Sequence, residues 1–302
     1  MIARKKPFFA LFGLLSSAAL QPMALAEEAD TTSVAAMGGA GVANSFDNNA
    51  LRRNPAALVL HESYAGQIDF GFAQGWRAQA SLSDTRTSQL GAGLSYTRHH
   101  STPDISSEDM PGWILPDAEL SNRTVAESWR IGAGLADRDR LMALGTSVVW
   151  DRTNEELRGR SNAIDLDASF AARIGSVVTV AGTAHNVLPI PEDDEEASDE
   201  SLTWGDRPLS AEVGAWVTAS DRLGFAGDGV MTGDGEFGGR FGVQTATSDN
   251  LLLRAGGSWI GGDWAAAAGF GAFSESSSLN YAIQYDIAAG RFWHTVGLTA
   301  LF

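Results

Sequence analysis

The side chains able to do chemistry are unevenly spread along this 302-residue chain. Five histidines, His61, His99, His100, His185 and His294, form no helix-borne metal pair, no Gly-x-Ser-x-Gly elbow is present, and cysteine is absent. Thiolate metal sites, cysteine nucleophiles and disulfides are therefore excluded. His99 and His100 with Asp104 offer a small metal-binding set, although adjacent histidines in a loop read more simply as solvated. The sequence assigns no catalytic residue, no metal and no cofactor, and an enzyme is the weakest class.

Charged residues carry the stronger signal. Asp69, Arg77, Arg130, Asp165, Asp167 and Arg173 each sit between apolar neighbours, and Glu212, Asp228, Arg240, Arg254, Asp286 and Arg291 repeat the pattern further on. In 279–287, for example, Leu279, Tyr281, Ile283, Tyr285 and Ile287 alternate with Asn280, Ala282, Gln284 and Asp286. A period of two belongs to a strand with two unlike faces, and no helix sorts residues this way. Six arginines then share one face with six acids. They form either ion pairs that tie a wall together or a polar lining that guides a substrate carboxylate, for which the arginine fork is suited.

Fourteen such segments follow residue 62: 63–73, 76–84, 88–98, 127–136, 140–152, 162–173, 177–187, 208–219, 222–231, 236–247, 250–260, 263–274, 278–288 and 291–302. The long connections, 99–126, 153–161 and 188–207, all join an odd segment to an even one. Tight turns such as Gly175-Ser176 and Ser220-Asp221 fall in the other class. That parity is expected of an outer-membrane barrel, with short turns on the periplasmic side and longer loops outside. The reading is all-β: a transmembrane antiparallel β-barrel of fourteen strands with an N-terminal plug segment. Inward glycines and alanines, among them Gly91, Gly93, Gly132, Gly134, Gly269 and Gly271, leave room for backbone to approach. Trp76, Trp129, Trp150, Trp259, Trp264, Tyr96 and Phe302 are expected near strand ends as an interfacial girdle.

The chain start fits this location. Arg4, Lys5 and Lys6 precede an apolar run and the triplet Ala24-Leu25-Ala26, the layout of a cleaved secretory signal over 1–26. With 21 basic and 37 acidic residues the net charge is −16, which excludes an electrostatic nucleic-acid binder. The acidic run Glu192-Asp193-Asp194-Glu195-Glu196 reads as a solvated loop able to recruit divalent cations.

Residues 27–62 do not alternate. They contain Gly38, Gly39, Gly41 and Ala43, then Asp47, then the run Asn54-Pro55-Ala56. The order Gly-x-Gly-x-Ala, Asp or Asn, and Asn-Pro-Ala between signal and first strand resembles the N-terminal segment of the FadL-like outer-membrane transporters. That resemblance implies a segment folded as a plug inside a fourteen-strand barrel, 63–302, and passive movement of hydrophobic or amphipathic molecules such as fatty acids. The implied partners are outer-membrane lipid and a hydrophobic small molecule. The chain is shorter than the better-known transporters, and smaller relatives resemble adaptor barrels for secretion or envelope proteins, which is the alternative reading.

Overall fold

The computed structural model describes residues 30–44, 47–73, 75–101, 124–155, 159–188, 202–204 and 208–302. The expected signal 1–26, Asp104 and the acidic run at 192–196 lie outside the described residues.

Fifteen strands form among the described residues: β1 Tyr64–Phe72, β2 Gly75–Asp84, β3 Leu90–Ser101, β4 Thr124–Ala136, β5 Met142–Glu155, β6 Gly159–Ile174, β7 Val178–His185 and β8 Leu202–Trp204 come first. The second half adds β9 Ser210–Ser220, β10 Leu223–Met231, β11 Phe237–Ser248, β12 Leu251–Ile260, β13 Asp263–Phe273, β14 Ser277–Asp286 and β15 Arg291–Leu301. Fourteen of them close into one antiparallel ring, with β7 paired directly to β9 and β1 paired to β15 from Ala65 opposite Leu301 to Phe72 opposite His294. The short β8 runs parallel to β6 outside this order, with Asn162 opposite Leu202.

Ring closure leaves no unpaired strand edge, which a backbone in lipid requires. The faces follow the same logic. Outward Ile131 and Leu144 are 64 % and 70 % exposed, whereas inward Gln67, Asp69, Ser81 and Asp165 are buried. In water this arrangement would be inside out; against acyl chains it is the stable one. No described helix is long and apolar enough to cross a membrane, and the crossing is made by strands.

The strand ends that flank the long connections, at Ser101 and Thr124, Glu155 and Gly159, and His185 and Ser210, are at one end of the ring, and turns such as those at 137–141 and 175–177 lie at the other. One tight turn at the long-loop end joins β12 to β13 through Gly261 and Gly262, at φ 60° and 100°. Two consecutive positive φ values match the twist of the hairpin, and glycine adopts them without steric penalty.

Ahead of the ring stand three short helices, α1 Thr32–Ala35, α2 Ala50–Arg53 and α3 Pro55–Leu58. Asn54 separates the last two. The following proline keeps it extended, at φ −158°, and its Oδ1 caps α3 by accepting from the Ala57 N–H at 3.0 Å.

Two expectations need correction. His99 and His100 are not in a loop: β3 continues to Ser101, with His99 facing inward and His100 stacked on Trp76. Tyr96, Trp129 and Trp150 lie in the middle of β3, β4 and β5 rather than at their ends, side by side in register, because these strands run on past the apolar belt. Trp76, Trp259 and Trp264 do stand near the long-loop end.

Candidate functional site

The described residues between Asp30 and Leu60 are almost all buried although no strand pairs with them. Their polar atoms reach the inward face of the ring on all sides. Asp69 of β1 accepts from the Thr32 N–H at 2.8 Å and from Thr32 Oγ1 at 2.7 Å. Across the lumen, Asp228 of β10 accepts from the N–H groups of Gly41 at 2.6 Å and Val42 at 3.1 Å. The Asn54 side-chain amide donates to the Phe170 carbonyl on β6 at 3.0 Å, and the Ala56 N–H donates to Ser169 Oγ at 3.1 Å. Backbone groups that a helix or sheet would have satisfied are satisfied by the wall instead.

A chain of ion pairs crosses the segment. Arg53 holds both oxygens of Asp30, at 2.6 and 2.9 Å, and extends Nη1 to Glu212 of β9 at 2.9 Å, whose other oxygen accepts from Arg240 of β11 at 2.8 Å. Burial disfavours the Arg53 charge, but Asp30 and Glu212 outweigh it and keep its proton bound more firmly than in water. Its neighbour Arg52 faces the other way, giving Nη1 to Gln79 and Thr97 at 3.3 Å each. Burial, then the charges of Arg130 and Arg77, push it down to about 9.

At the short-turn end the segment is fastened by its carbonyls. Arg140 donates to Val59 at 2.6 Å, and Arg173 donates to Leu60 at 3.0 Å. Between them Leu58, Val59 and Leu60 join one apolar cluster with Ala143, Ala171, Ala181 and Trp216 of the wall. Glycines of the wall let the segment come this close. A Cβ added to Gly93 would lie 2.5 Å from Leu51 Cδ2, one at Gly242 would lie 2.5 Å from Met37 Cβ, and one at Gly256 would overlap the Met37 carbonyl.

Of the inward charges singled out in the sequence, Asp69, Arg77, Arg173, Glu212, Asp228 and Arg240 touch the segment or its ion pairs. Arg130 donates to the Arg52 carbonyl at 2.9 Å and pairs with Asp167, while Asp165 is wholly buried beside them on β6. Arg254 instead bonds Asn280 within the wall at 2.9 Å, and Asp286 and exposed Arg291 stand opposite each other at the long-loop rim. In the segment, Gly38 and Gly39 take positive φ, and Asp47 accepts from Thr31 Oγ1 at 3.0 Å, from Ser33 Oγ and from the Asn49 N–H at 2.9 Å. Sequence reasoning missed Asp30, Arg53 and Trp293, and singled out His99 only as a loop residue for a metal. Two adjacent arginines in a non-alternating stretch were the one available signal for Arg53.

Above the segment, on the long-loop side, a cavity of about 140 Å³ remains. Asp30, Gly38, Gly39 and Arg53 form its floor, and Arg77, His99, Arg240 and Trp293 stand in its wall.

A closed fourteen-strand barrel, apolar outside and holding its own N-terminal segment within, is a membrane-spanning barrel of the outer-membrane class. Solved structures with this fold are the toluene transporter TbuX of Ralstonia pickettii, with a TM-score of 0.69 at 11 % identity over 91 % of this chain and 99 % of that one, and the toluene transporter TodX of Pseudomonas putida, with 0.63 at 14 % identity over 91 % and 98 %. Both are of the FadL family, so the fold is the one that the N-terminal motif resembles. No family model and no curated protein matches the sequence.

Proposed function

We propose that the protein is a passive outer-membrane conduit for small hydrophobic or amphipathic molecules, in which 1–26 is a cleaved signal, 27–62 a plug that controls passage, and 63–302 the barrel. One observation carries this reading: the short-turn half of the lumen is filled by packed apolar side chains, with Leu51, Leu58, Val59 and Leu60 each at most 2 % exposed. A hydrated ion or sugar would have to shed its water there without compensation, whereas an apolar solute meets no such penalty when the segment shifts. The inward arginines suit the charged end of an amphipathic molecule. That the similar solved structures are toluene transporters supports the same class of cargo. The reading assigns no catalytic step.

The test is uptake by cells that lack their own hydrophobic channels. Expression of the full chain should raise the initial rate of entry of a radiolabelled fatty acid or toluene and leave arabinose entry unchanged. An adaptor barrel that serves envelope proteins would raise neither hydrophobic probe, and that result would remove the conduit reading.

A further inference from the structure

The cavity above the segment differs in character from the apolar seal below it. Arg77, Arg240 and Arg53 bring three guanidinium groups to a space of about 140 Å³. Two carboxylates also line it. Asp30 has both oxygens engaged by Arg53, and Asp286 accepts from the Ala289 N–H at 2.9 Å in the turn between β14 and β15. Trp293, Ile260 and Ala265 supply its apolar surface, with Gln284 and Asp286 of β14 between Ala265 and Trp293. Opposite Arg77 in register stands His99, 3 % exposed, whose ring is 6.3 Å from that of Trp293 and whose buried Nδ1 has no hydrogen-bond partner among the described residues.

We propose that this cavity is a binding site for a single-ring aromatic carboxylate, with the ring against Trp293, Ile260 and Ala265 and the carboxylate toward Arg77 and Arg240. The proposal deepens the conduit reading by naming a class of cargo, and rests on it for its biological sense. Size limits the ligand to about one ring, since cavities of about 150 Å³ are known to hold benzene. Charge excludes the plain hydrocarbon as the preferred ligand. A neutral ring would displace water from the guanidinium groups and offer them no acceptor in return. A planar carboxylate accepts two parallel N–H bonds from one guanidinium and leaves the indole face for its ring.

Isothermal titration calorimetry on the full chain in detergent tests this with three probes: benzoate, toluene as the same ring without charge, and hexanoate as the charge without a ring. Benzoate should bind at least about ten-fold more tightly than either. Its advantage over toluene should collapse in Arg77→Gln, and its advantage over hexanoate in Trp293→Leu, each variant first shown to be folded by heat-modifiable migration on gels. If Arg77→Gln does not fold, His99→Leu, which breaks no ion pair, should weaken benzoate several-fold and leave toluene unchanged. Toluene binding as tightly as benzoate, or benzoate binding unaltered in every folded variant, would overturn the proposal. Uptake separates the two claims. Hydrophobic uptake without benzoate binding removes this site and keeps the conduit, whereas benzoate binding without uptake of any probe does the reverse.

Discussion

Gly256 and Gly227 are both glycines of the wall, and they do opposite things. Gly256 faces inward against the Met37 carbonyl, while nothing lies within 4 Å of a Cβ added to Gly227 on the lipid side. Gly256→Val should therefore push the segment off the wall and raise steady conductance several-fold, and Gly227→Ala should leave it unchanged. Equal conductance in the two variants would show that contact with β12 does not hold the segment in place. Asp47 adds a pH dependence. Burial pushes its carboxyl from 3.8 up to about 6, against the hydrogen bonds from Asn49 and Thr31. Its contribution to stability is thus fully present below 3.8 and is lost as the pH rises through about 6. Asp47→Asn, which mimics the neutral carboxyl, should raise the urea midpoint relative to wild type at pH 7.5, and the gain should shrink as the pH falls through about 6 and vanish only below 3.8. A difference that stays constant over this range would exclude the linkage.

At the scale of the element, strands were legible wherever the two faces meet different surroundings. Ile131 faces lipid while Arg130 beside it reaches the Arg52 carbonyl, so β4 shows a clean period of two. Ile131→Arg should cost about 2–4 kcal/mol near the midplane, measured by urea unfolding in vesicles, because it places a guanidinium against the acyl chains. An unchanged midpoint would refute the assignment of faces. Legibility ended where that contrast ends. Past the apolar belt both faces of β3 are polar, and His99-His100-Ser101 reads as loop although the strand continues. The three residues of β8 are too few to show a period. The motif around Asn54-Pro55-Ala56 was readable because proline and an amide cap impose local geometry. The ion-paired chain Asp30, Arg53, Glu212 and Arg240 was not, since its members are joined only by the closing of the ring.

The whole molecule is divided along its axis. Toward the short turns, Arg140 and Arg173 clamp the carbonyls of Val59 and Leu60 over an apolar cluster; toward the long loops, a small charged vestibule stays open. In the proposed mechanism a molecule enters the vestibule, the ion pairs between Arg53, Asp30 and Glu212 yield, and the segment moves aside without unfolding the ring, whose strand pairing begins only at Tyr64. Separating these pairs inside the barrel would leave buried charges uncompensated, which opposes movement of the segment. Conductance in planar bilayers tests this account most directly, with the full chain compared with a chain lacking residues 31–58. The full chain should be closed to ions apart from brief openings, and the shortened one should form a steadily open pore of the same barrel. Identical conductance in the two would mean that the segment does not fill the lumen in the membrane.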